Sequence, residues 1–288
     1  MKLLKAITGS LLVYFFILSA SFPLSSCTKN ITVHDTTVKI IRDTTIIRDT
    51  TVIIDTVFDI NSGLVAYYNF NGANLNDSSG HNNQIVYSNA VATEDRNGVA
   101  NNAYLFNGSS SYMRVTNSGS LNPNQITLSA IVKVNGFYIA SCSENQILGK
   151  GYPDDVDGFY CIRFVDTLNL CSSTPDISRE VFTANFGDNI PQGANSGAIA
   201  PLNISTGTWY SVIYTYDGQY SRLYINGQLK DIRQKGIQFT PNSHDLYIGK
   251  HEDPSFPYSF NGVIDEIRIY DRALCGSAVQ TLYSHGLN

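Results

Sequence analysis

The chain has 288 residues, of which 43% are hydrophobic and 15% charged, so its composition is that of a folded globular protein rather than a disordered one. The net charge is −5, and the lysines and arginines are scattered singly, so the sequence lacks the basic patch that a nucleic-acid-binding surface needs. Nucleic acid is therefore excluded as an expected partner. The 18 tyrosines and the 22 glycines set between apolar runs favour strands and turns over helices.

The first 27 residues have the pattern of an export signal. Lys2 and Lys5 precede an apolar run, residues 11–18, that is too short to span a bilayer comfortably. The segment Leu24-Ser25-Ser26-Cys27 then resembles the bacterial lipobox, in which small residues precede a cysteine that receives diacylglycerol. The resemblance implies that Cys27 is lipidated and that the protein is an outer-membrane lipoprotein, at the cell surface or on the periplasmic face. The alternative is a plain secretory signal with an incidental cysteine.

Residues 28–61 are predicted to form a low-complexity stalk. A six-residue unit of the type Ile-Arg-Asp-Thr-Thr-Ile begins at Ile41 and Ile47, and a degenerate copy begins at Ile53. The β-branched residues disfavour a helix, and an extended chain with this period would carry isoleucine and aspartate on the same face. One interpretation is an extended spacer. The other is that identical strands from several chains pair here and form a homo-oligomer.

The remainder of the chain, residues 62–288, is predicted to be one all-β domain. Alternating apolar and polar runs, separated by Gly, Asn, Asp and Ser, recur to the C-terminus without long helices between them, which favours two antiparallel sheets packed face to face. Asp217-Gly218 and Asn226-Gly227 predict tight hairpins, and apolar residues at helical spacing over 277–284 predict a short C-terminal helix. Examples of the predicted strands are 64–70, 103–106, 126–134, 159–165, 209–216, 222–225, 246–248 and 263–270.

Three stretches resemble the LamG-like, concanavalin A-like family of jelly-roll domains. They are residues 63–72 with 76–80 and 103–112; Gly207-Thr-Trp-Tyr-Ser-Val-Ile-Tyr-Thr-Tyr-Asp-Gly218 with Arg222-Leu-Tyr-Ile-Asn-Gly227; and residues 246–249 with 260–274. The resemblance covers nearly all of residues 62–288. It implies a two-sheet antiparallel jelly-roll β-sandwich, in a family that includes lectins, adhesion modules, carbohydrate-binding modules and some glycoside hydrolases.

The sequence predicts binding rather than catalysis. Laminarinase-type hydrolases of this superfamily carry a Glu-x-Asp-x-x-Glu strand, which this sequence lacks. Asp265 and Glu266 are adjacent and are expected to point to opposite faces of their strand, so they are not expected to act as a pair. We expect a non-catalytic domain that binds a glycan or a surface protein. The alternatives are a structural spacer of the envelope and a glycoside hydrolase with an unorthodox site.

The resemblance also implies a structural calcium ion held by carboxylates from near both ends of the domain. The positions that match the family are Asp77, in the turn 76–80, and Asp265, on the near-terminal strand. Their carboxylates offer the hard oxygen ligands that calcium prefers. The alternative for each is an aspartate that hydrogen-bonds its own turn or pairs with Arg268 or Arg272.

A glycan site is expected in the long loops that interrupt the regular strand spacing. Tyr152, Phe256 and Tyr258 are the candidate ligand-binding residues, since aromatic rings beside Asn and Asp can stack on a sugar and bind its hydroxyl groups. They could equally close the ends of the sandwich as hydrophobic plugs. Trp209, the only tryptophan, opens an alternating strand and is expected in the core.

An exported protein can keep disulfides, and four cysteines follow Cys27. Cys161 and Cys171 flank a predicted hairpin and are the first candidate pair. The alternative is that these cysteines are buried free thiols.

Overall fold

The computed structural model describes residues 59–138, 144–152, 158–166, 176–187, 197–234, 236 and 239–287. The predicted signal segment, Cys27 and nearly all of the stalk therefore lie outside the described residues. No helix within these ranges is both long and apolar enough to cross a lipid bilayer.

Strands and one C-terminal helix make up most of the described chain, as the alternating sequence pattern predicts. The strands are β1 (Leu64–Tyr68), β2 (Ile85–Ser88), β3 (Val91–Thr93), β4 (Ala103–Asn107), β5 (Met113–Val115), β6 (Ile126–Gly136), β7 (Glu144–Lys150), β8 (Phe159–Asp166), β9 (Glu180–Gly187), β10 (Ala198–Ile199), β11 (Trp209–Tyr216), β12 (Tyr220–Ile225), β13 (Gln228–Gln234), β14 (Leu246–Ile248) and β15 (Asn261–Tyr270), and the helix is α1 (Gly276–Leu287).

The strands form two antiparallel sheets that face each other as a sandwich, which confirms the predicted fold. The larger sheet has the order β13-β12-β11-β6-β15-β4-β3, with β1 paired to the C-terminal half of β15. The smaller sheet has the order β10-β9-β8-β7-β14-β5-β2. The predicted hairpin at Asn226-Gly227 joins β12 to β13, and both residues have the positive φ that a tight turn of this kind requires.

The core lies between the sheets and is rich in aromatic side chains. On β11, Tyr210, Tyr214 and Tyr216 point into it and are almost completely buried. Ile213 points to the other face of the larger sheet, where α1 covers it. Ser211 and Thr215 of that outward face are buried as well, so β11 is buried on both faces along most of its length. Trp209 is the exception, because it lies half-buried at the start of the strand, with the ammonium group of Lys133 5.2 Å from its ring centroid, so the prediction that it is a core residue is wrong.

The cysteine prediction is also wrong for Cys161. Its side chain is fully buried on β8 and is a free thiol, so it does not pair with Cys171, which lies outside the described residues. Cys275 is disulfide-bonded. Burial raises the pKa of the Cys161 thiol to about 11, which makes it unreactive in the folded protein.

Arg272 ties the end of the domain to its beginning. Its Nε donates a hydrogen bond to the carbonyl oxygen of Ser62 at 2.7 Å, and its second guanidinium nitrogen donates to the carbonyl oxygen of Asp59 at 3.0 Å. Arg272, the second residue after β15, thus holds the chain where it enters β1.

Candidate binding site on the outer face of the smaller sheet

The outer face of the smaller sheet carries polar side chains that are nevertheless buried. On β8, Ile162 and Phe164 point into the core, so Arg163 between them points outward. Gln146 of β7 and Thr183 of β9 flank Arg163 in the sheet register. Arg163 is only 4% exposed, and Gln146 and Thr183 are buried more deeply still. Sequence reasoning missed these three residues.

Several polar atoms of this face have unused hydrogen-bonding capacity. One terminal nitrogen of Arg163 pairs with Oε2 of Glu144, and burial raises the pKa of that carboxyl group. Among the described residues, Nε of Arg163, Oε1 of Gln146 and Oγ1 of Thr183 are buried without a hydrogen-bond partner. Leaving such an atom unpaired costs about 1–3 kcal/mol. Because these atoms have almost no exposed surface, only ordered water, or a ligand admitted by a shift of the chain that covers them, would satisfy them.

Gln146 fixes the chain segment that passes over this face, residues 250–258. Its backbone N–H donates to the carbonyl oxygen of Tyr258 at 2.8 Å, and its side-chain Nε2 donates to the carbonyl oxygen of Lys250 at 3.0 Å. The side chain lies against Gly149, where a Cβ atom would stand 2.6 Å from Nε2. Glycine at position 149 therefore leaves the space that the Gln146 amide needs.

The three predicted ligand-binding aromatic residues meet in one continuous row with two histidines. The ring centroid of Tyr152 lies 4.9 Å from that of His244 and 5.2 Å from that of His251. His251 lies 5.5 Å from Tyr258, and Tyr258 lies 6.1 Å from Phe256. Phe256 is 42% exposed, whereas Tyr152 and Tyr258 are half-buried. The structure thus places the predicted residues in one row, in which the His251 ring lies between Tyr152 and Tyr258.

His251 adds a hydrogen-bond donor to the site. Its Nδ1 accepts a hydrogen bond from the backbone N–H of Asp253 at 3.2 Å, which places the ring proton on Nε2. Burial, helped by the positive charge of Arg163, lowers the pKa of His251 to about 4, so the ring is neutral at physiological pH. Nε2 is buried and has no partner among the described residues.

Tyr258 has an unusual backbone conformation for an aromatic residue. Its φ angle is +41°, in the left-handed region that residues with bulky side chains rarely occupy. Such conformations cluster at functional sites, where the surrounding structure holds them in place. Here the hydrogen bond from Gln146 to the Tyr258 carbonyl oxygen supplies part of that restraint.

Asp77 and Asp265, the predicted calcium ligands, already have other partners. The Asp77 carboxylate accepts hydrogen bonds from the backbone N–H groups of Tyr67, Ser79 and Asn83, each at 2.9 Å, which is the turn-forming role. Asp265 forms an ion pair with Arg96 at 2.6 Å. The described part of the chain contains no group of three or more His, Cys, Asp or Glu side chains that could hold a metal ion. These two residues therefore do not fit the predicted site.

Asp265 and Glu266 do not point to opposite faces, so that expectation is wrong. The β15–β6 register shifts between Ile264 and Glu266, which makes Asp265 an inserted bulge residue. Both carboxylates consequently line one cavity on the outer face of the larger sheet. Asp265 is paired with Arg96, and Glu266 with Nε of Arg268 at 2.8 Å, so neither acid is free.

A family model described as the concanavalin A-like lectin/glucanases superfamily matches residues 107–280, which is more than half of the chain. The chain belongs to this superfamily. No curated protein sequence matches it.

Solved structures with the same fold include modules that bind ligands. Domain 4 of AbnA, a GH43 extracellular arabinanase from Geobacillus stearothermophilus, in complex with arabinotriose, is 22% identical with a TM-score of 0.52 over 76% of this chain and 98% of that one. The binding domain of Paraclostridial Mosquitocidal Protein 1 is 16% identical with a TM-score of 0.61, over 79% of this chain and 53% of that one. The binding domain of botulinum neurotoxin DC, in complex with rat synaptotagmin II, is 15% identical with a TM-score of 0.54, over 79% of this chain and 52% of that one. The chain thus spans about half of each toxin binding domain, and identities this low establish a shared fold only.

Proposed function

We propose that the domain is a non-catalytic glycan-binding module and that its site is the outer face of the smaller sheet beneath residues 250–258. The observation that carries the proposal is the combination of two surfaces. The row from Tyr152 to Phe256 offers ring faces and edges, and the buried atoms of Arg163, Gln146 and His251 offer unpaired donors and an acceptor. Sugars present both apolar C–H faces and hydroxyl groups, so they match such a pair of surfaces.

The carboxylates of the site argue against hydrolysis. A glycosidase needs one carboxylic acid and one carboxylate that are both free to act on the glycosidic bond. Glu144, the acid nearest the polar face, is bound to Arg163. The arabinanase domain that shares this fold was solved with arabinotriose, which makes sugar binding by such a module a reasonable assignment.

A protein ligand is the second candidate, and the exposure of Phe256 favours it. This ring is 42% exposed at the end of the row, and exposed aromatic residues often anchor protein interfaces. The toxin domain in complex with synaptotagmin has the same fold and a protein ligand.

The sequence pattern alone supports the wider cellular setting. We place the domain at the outer membrane through lipid on Cys27, with residues 28–61 as a spacer or as a segment through which several chains associate. Mass spectrometry of the mature N-terminus tests the lipid. Size-exclusion chromatography with and without residues 33–59 tests the association.

A glycan array with the purified mature chain tests the binding proposal. We expect the wild type to bind a defined set of glycans, and Tyr258→Ala and Phe256→Ala each to weaken that binding about 10-fold or more, since an aromatic anchor contributes more than 1 kcal/mol. The control is Leu229→Ala, an exposed position on the edge strand β13 of the other sheet, which is expected to leave binding unchanged. Absence of any glycan bound above background would refute the proposal, and binding by all variants alike would refute the site.

A further inference from the structure

The larger sheet carries a separate cavity on its outer face, on the opposite side of the sandwich from the proposed glycan site. Its volume is about 470 Å³, within the range of small-molecule sites. The bulge at Asp265 shapes it, because the inserted residue turns both Asp265 and Glu266 toward the cavity. Tyr67 of β1 and His285 of α1 also line it.

The charges in the cavity are largely neutralised within the cavity wall. Arg96 pairs with Asp265 at 2.6 Å, and Arg268 pairs with Glu266 at 2.8 Å. The hydroxyl group of Tyr67 donates to Glu266 at 3.2 Å and accepts from Arg268 at 3.0 Å, and the Arg268 guanidinium carbon lies 4.1 Å from the Tyr67 ring centroid. Neither arginine is therefore left as an unpaired charge for an anionic ligand.

Asp95, the third acid of the cavity, is used by its own loop. Its Oδ1 accepts hydrogen bonds from the backbone N–H groups of Asn97 at 2.7 Å and Val99 at 2.9 Å, and its Oδ2 accepts from Asn102 at 3.3 Å. Burial alone would raise its pKa, but these bonds hold the pKa below its ordinary value. The carboxylate thus stabilises a turn and does not offer open oxygens to a cation.

The polar groups of the cavity wall that are left to bind a ligand are either neutral or belong to a charge that is already paired. Within the described residues, Oδ1 of Asp265 makes no hydrogen bond, and the side-chain amides of Asn69 and Asn97 keep free donors. Because Arg268 covers a face of the Tyr67 ring, stacking contributes little here. Such walls suit a ligand that exchanges many hydrogen bonds and carries no net charge.

We propose that this cavity is a second carbohydrate site, which takes one neutral sugar unit through hydrogen bonds. It would bind a sugar differently from the first site, because paired charged side chains and asparagine amides form its wall, whereas aromatic rings form the row at the first site. The proposal stands independently of the glycan site beneath residues 250–258.

A nuclear magnetic resonance titration of the ¹⁵N-labelled mature chain tests this assignment. The probes are D-glucose, D-galactose, L-arabinose and N-acetylglucosamine, with sodium sulfate and calcium chloride as charged comparisons. We expect at least one neutral sugar to shift the backbone amide signals of Tyr67, Asn97 and Asp265 in a saturable way, and the two salts to leave them in place.

Two variants assign the signal to the cavity. The double variant Asn69→Ala, Asn97→Ala removes the amides of one half-buried and one exposed residue and is expected to weaken sugar binding by about 10-fold, or about 1.4 kcal/mol. Tyr258→Ala alters only the first site and is expected to leave these shifts intact. The assignment is overturned if no sugar shifts these amides, if sulfate or calcium shifts them instead, or if the sugars shift only residues 250–258. The last result would support the first site alone.

Discussion

Gln146 holds Tyr258 in place across two elements that are distant in sequence. Its backbone N–H bonds the Tyr258 carbonyl oxygen at 2.8 Å, while its side chain bonds the carbonyl oxygen of Lys250 at 3.0 Å. One residue of β7 therefore positions the segment that carries His251, Phe256 and Tyr258 of the aromatic row.

Replacing Gln146 by alanine is expected to loosen that segment. The Lys250 carbonyl oxygen loses its donor, which should lower the free energy of unfolding by about 1–2 kcal/mol, as measured by urea denaturation. Glycan affinity should fall with it, because the segment is no longer held at Lys250, next to His251, although the backbone N–H of residue 146 still bonds the Tyr258 carbonyl oxygen. The matched control, Gln228→Ala at an exposed position of β13, should change neither quantity. An unchanged glycan affinity in Gln146→Ala would show that the Gln146 side chain does not position the row.

Glu180 is expected to make stability depend on pH. It is fully buried opposite Asp166, and neither carboxylate oxygen has a hydrogen-bond partner among the described residues. Burial, with the charges of Asp166 and Glu144, raises its pKa from 4.5 to about 8. The folded state thus keeps a proton that the unfolded state releases, so stability falls as the pH rises from 4.5 to 8 and is constant above that.

The substitution Glu180→Gln should remove this dependence and raise the free energy of unfolding at neutral pH, by an amount on the order of 1–3 kcal/mol. Thermal melts below pH 4.5 and above pH 8 measure the pH dependence of stability, and Glu94→Gln at an exposed position is the control. Parallel pH profiles of the wild type and Glu180→Gln would contradict the assignment.

His251 should give a dependence of the opposite sense. Its pKa is lowered from 6.5 to about 4 by burial and by the charge of Arg163, so the folded state resists a proton that the unfolded state accepts. The free energy of unfolding that depends on a neutral His251 is fully present above pH 6.5 and is lost as the pH falls toward 4. The substitution His251→Gln should make the melting temperature independent of pH over this window, whereas His285→Gln in α1 should keep the pH dependence of the wild type.

Chelation is expected to leave the melting temperature unchanged, because the oxygens of Asp77 bind backbone N–H groups and Asp265 binds Arg96. Asp77→Ala should lower the free energy of unfolding by about 2–4 kcal/mol, since buried N–H groups lose their acceptor. The loss should be the same in calcium and in chelator. A calcium-dependent rise in the wild-type melting temperature would instead reveal a metal site that these residues do not form.

The sequence predicted the features that depend on alternation and turn chemistry. The two-sheet architecture, the hairpin at Asn226-Gly227 and the terminal helix are local patterns, and the structure contains all of them. The loop aromatics were identified because they lie beside Asn and Asp in the long loops that interrupt the strand spacing. Their meeting in one row depends on Gln146, whose contacts with Lys250 and Tyr258 span more than 100 residues of chain and leave no local signal.

Other features could not be derived from local sequence. Strand β8 is buried on both faces, so alternation did not single out Arg163 as an outward polar residue, and Cys161 beside it looked like a hairpin cysteine. The bulge at Asp265 reversed the expected direction of one acid, because a single inserted residue changes the face to which side chains point. Only the pairing with β6 reveals that insertion.

The contact of Arg272 with Ser62 and Asp59 has a mechanical consequence. Any pull exerted on the polypeptide ahead of Asp59 is borne first by two guanidinium hydrogen bonds and only then by the β1–β15 ladder. Because both bonds are anchored just beyond β15, next to the centre of the larger sheet, tension is shared with its longest strands before the first strand can peel away.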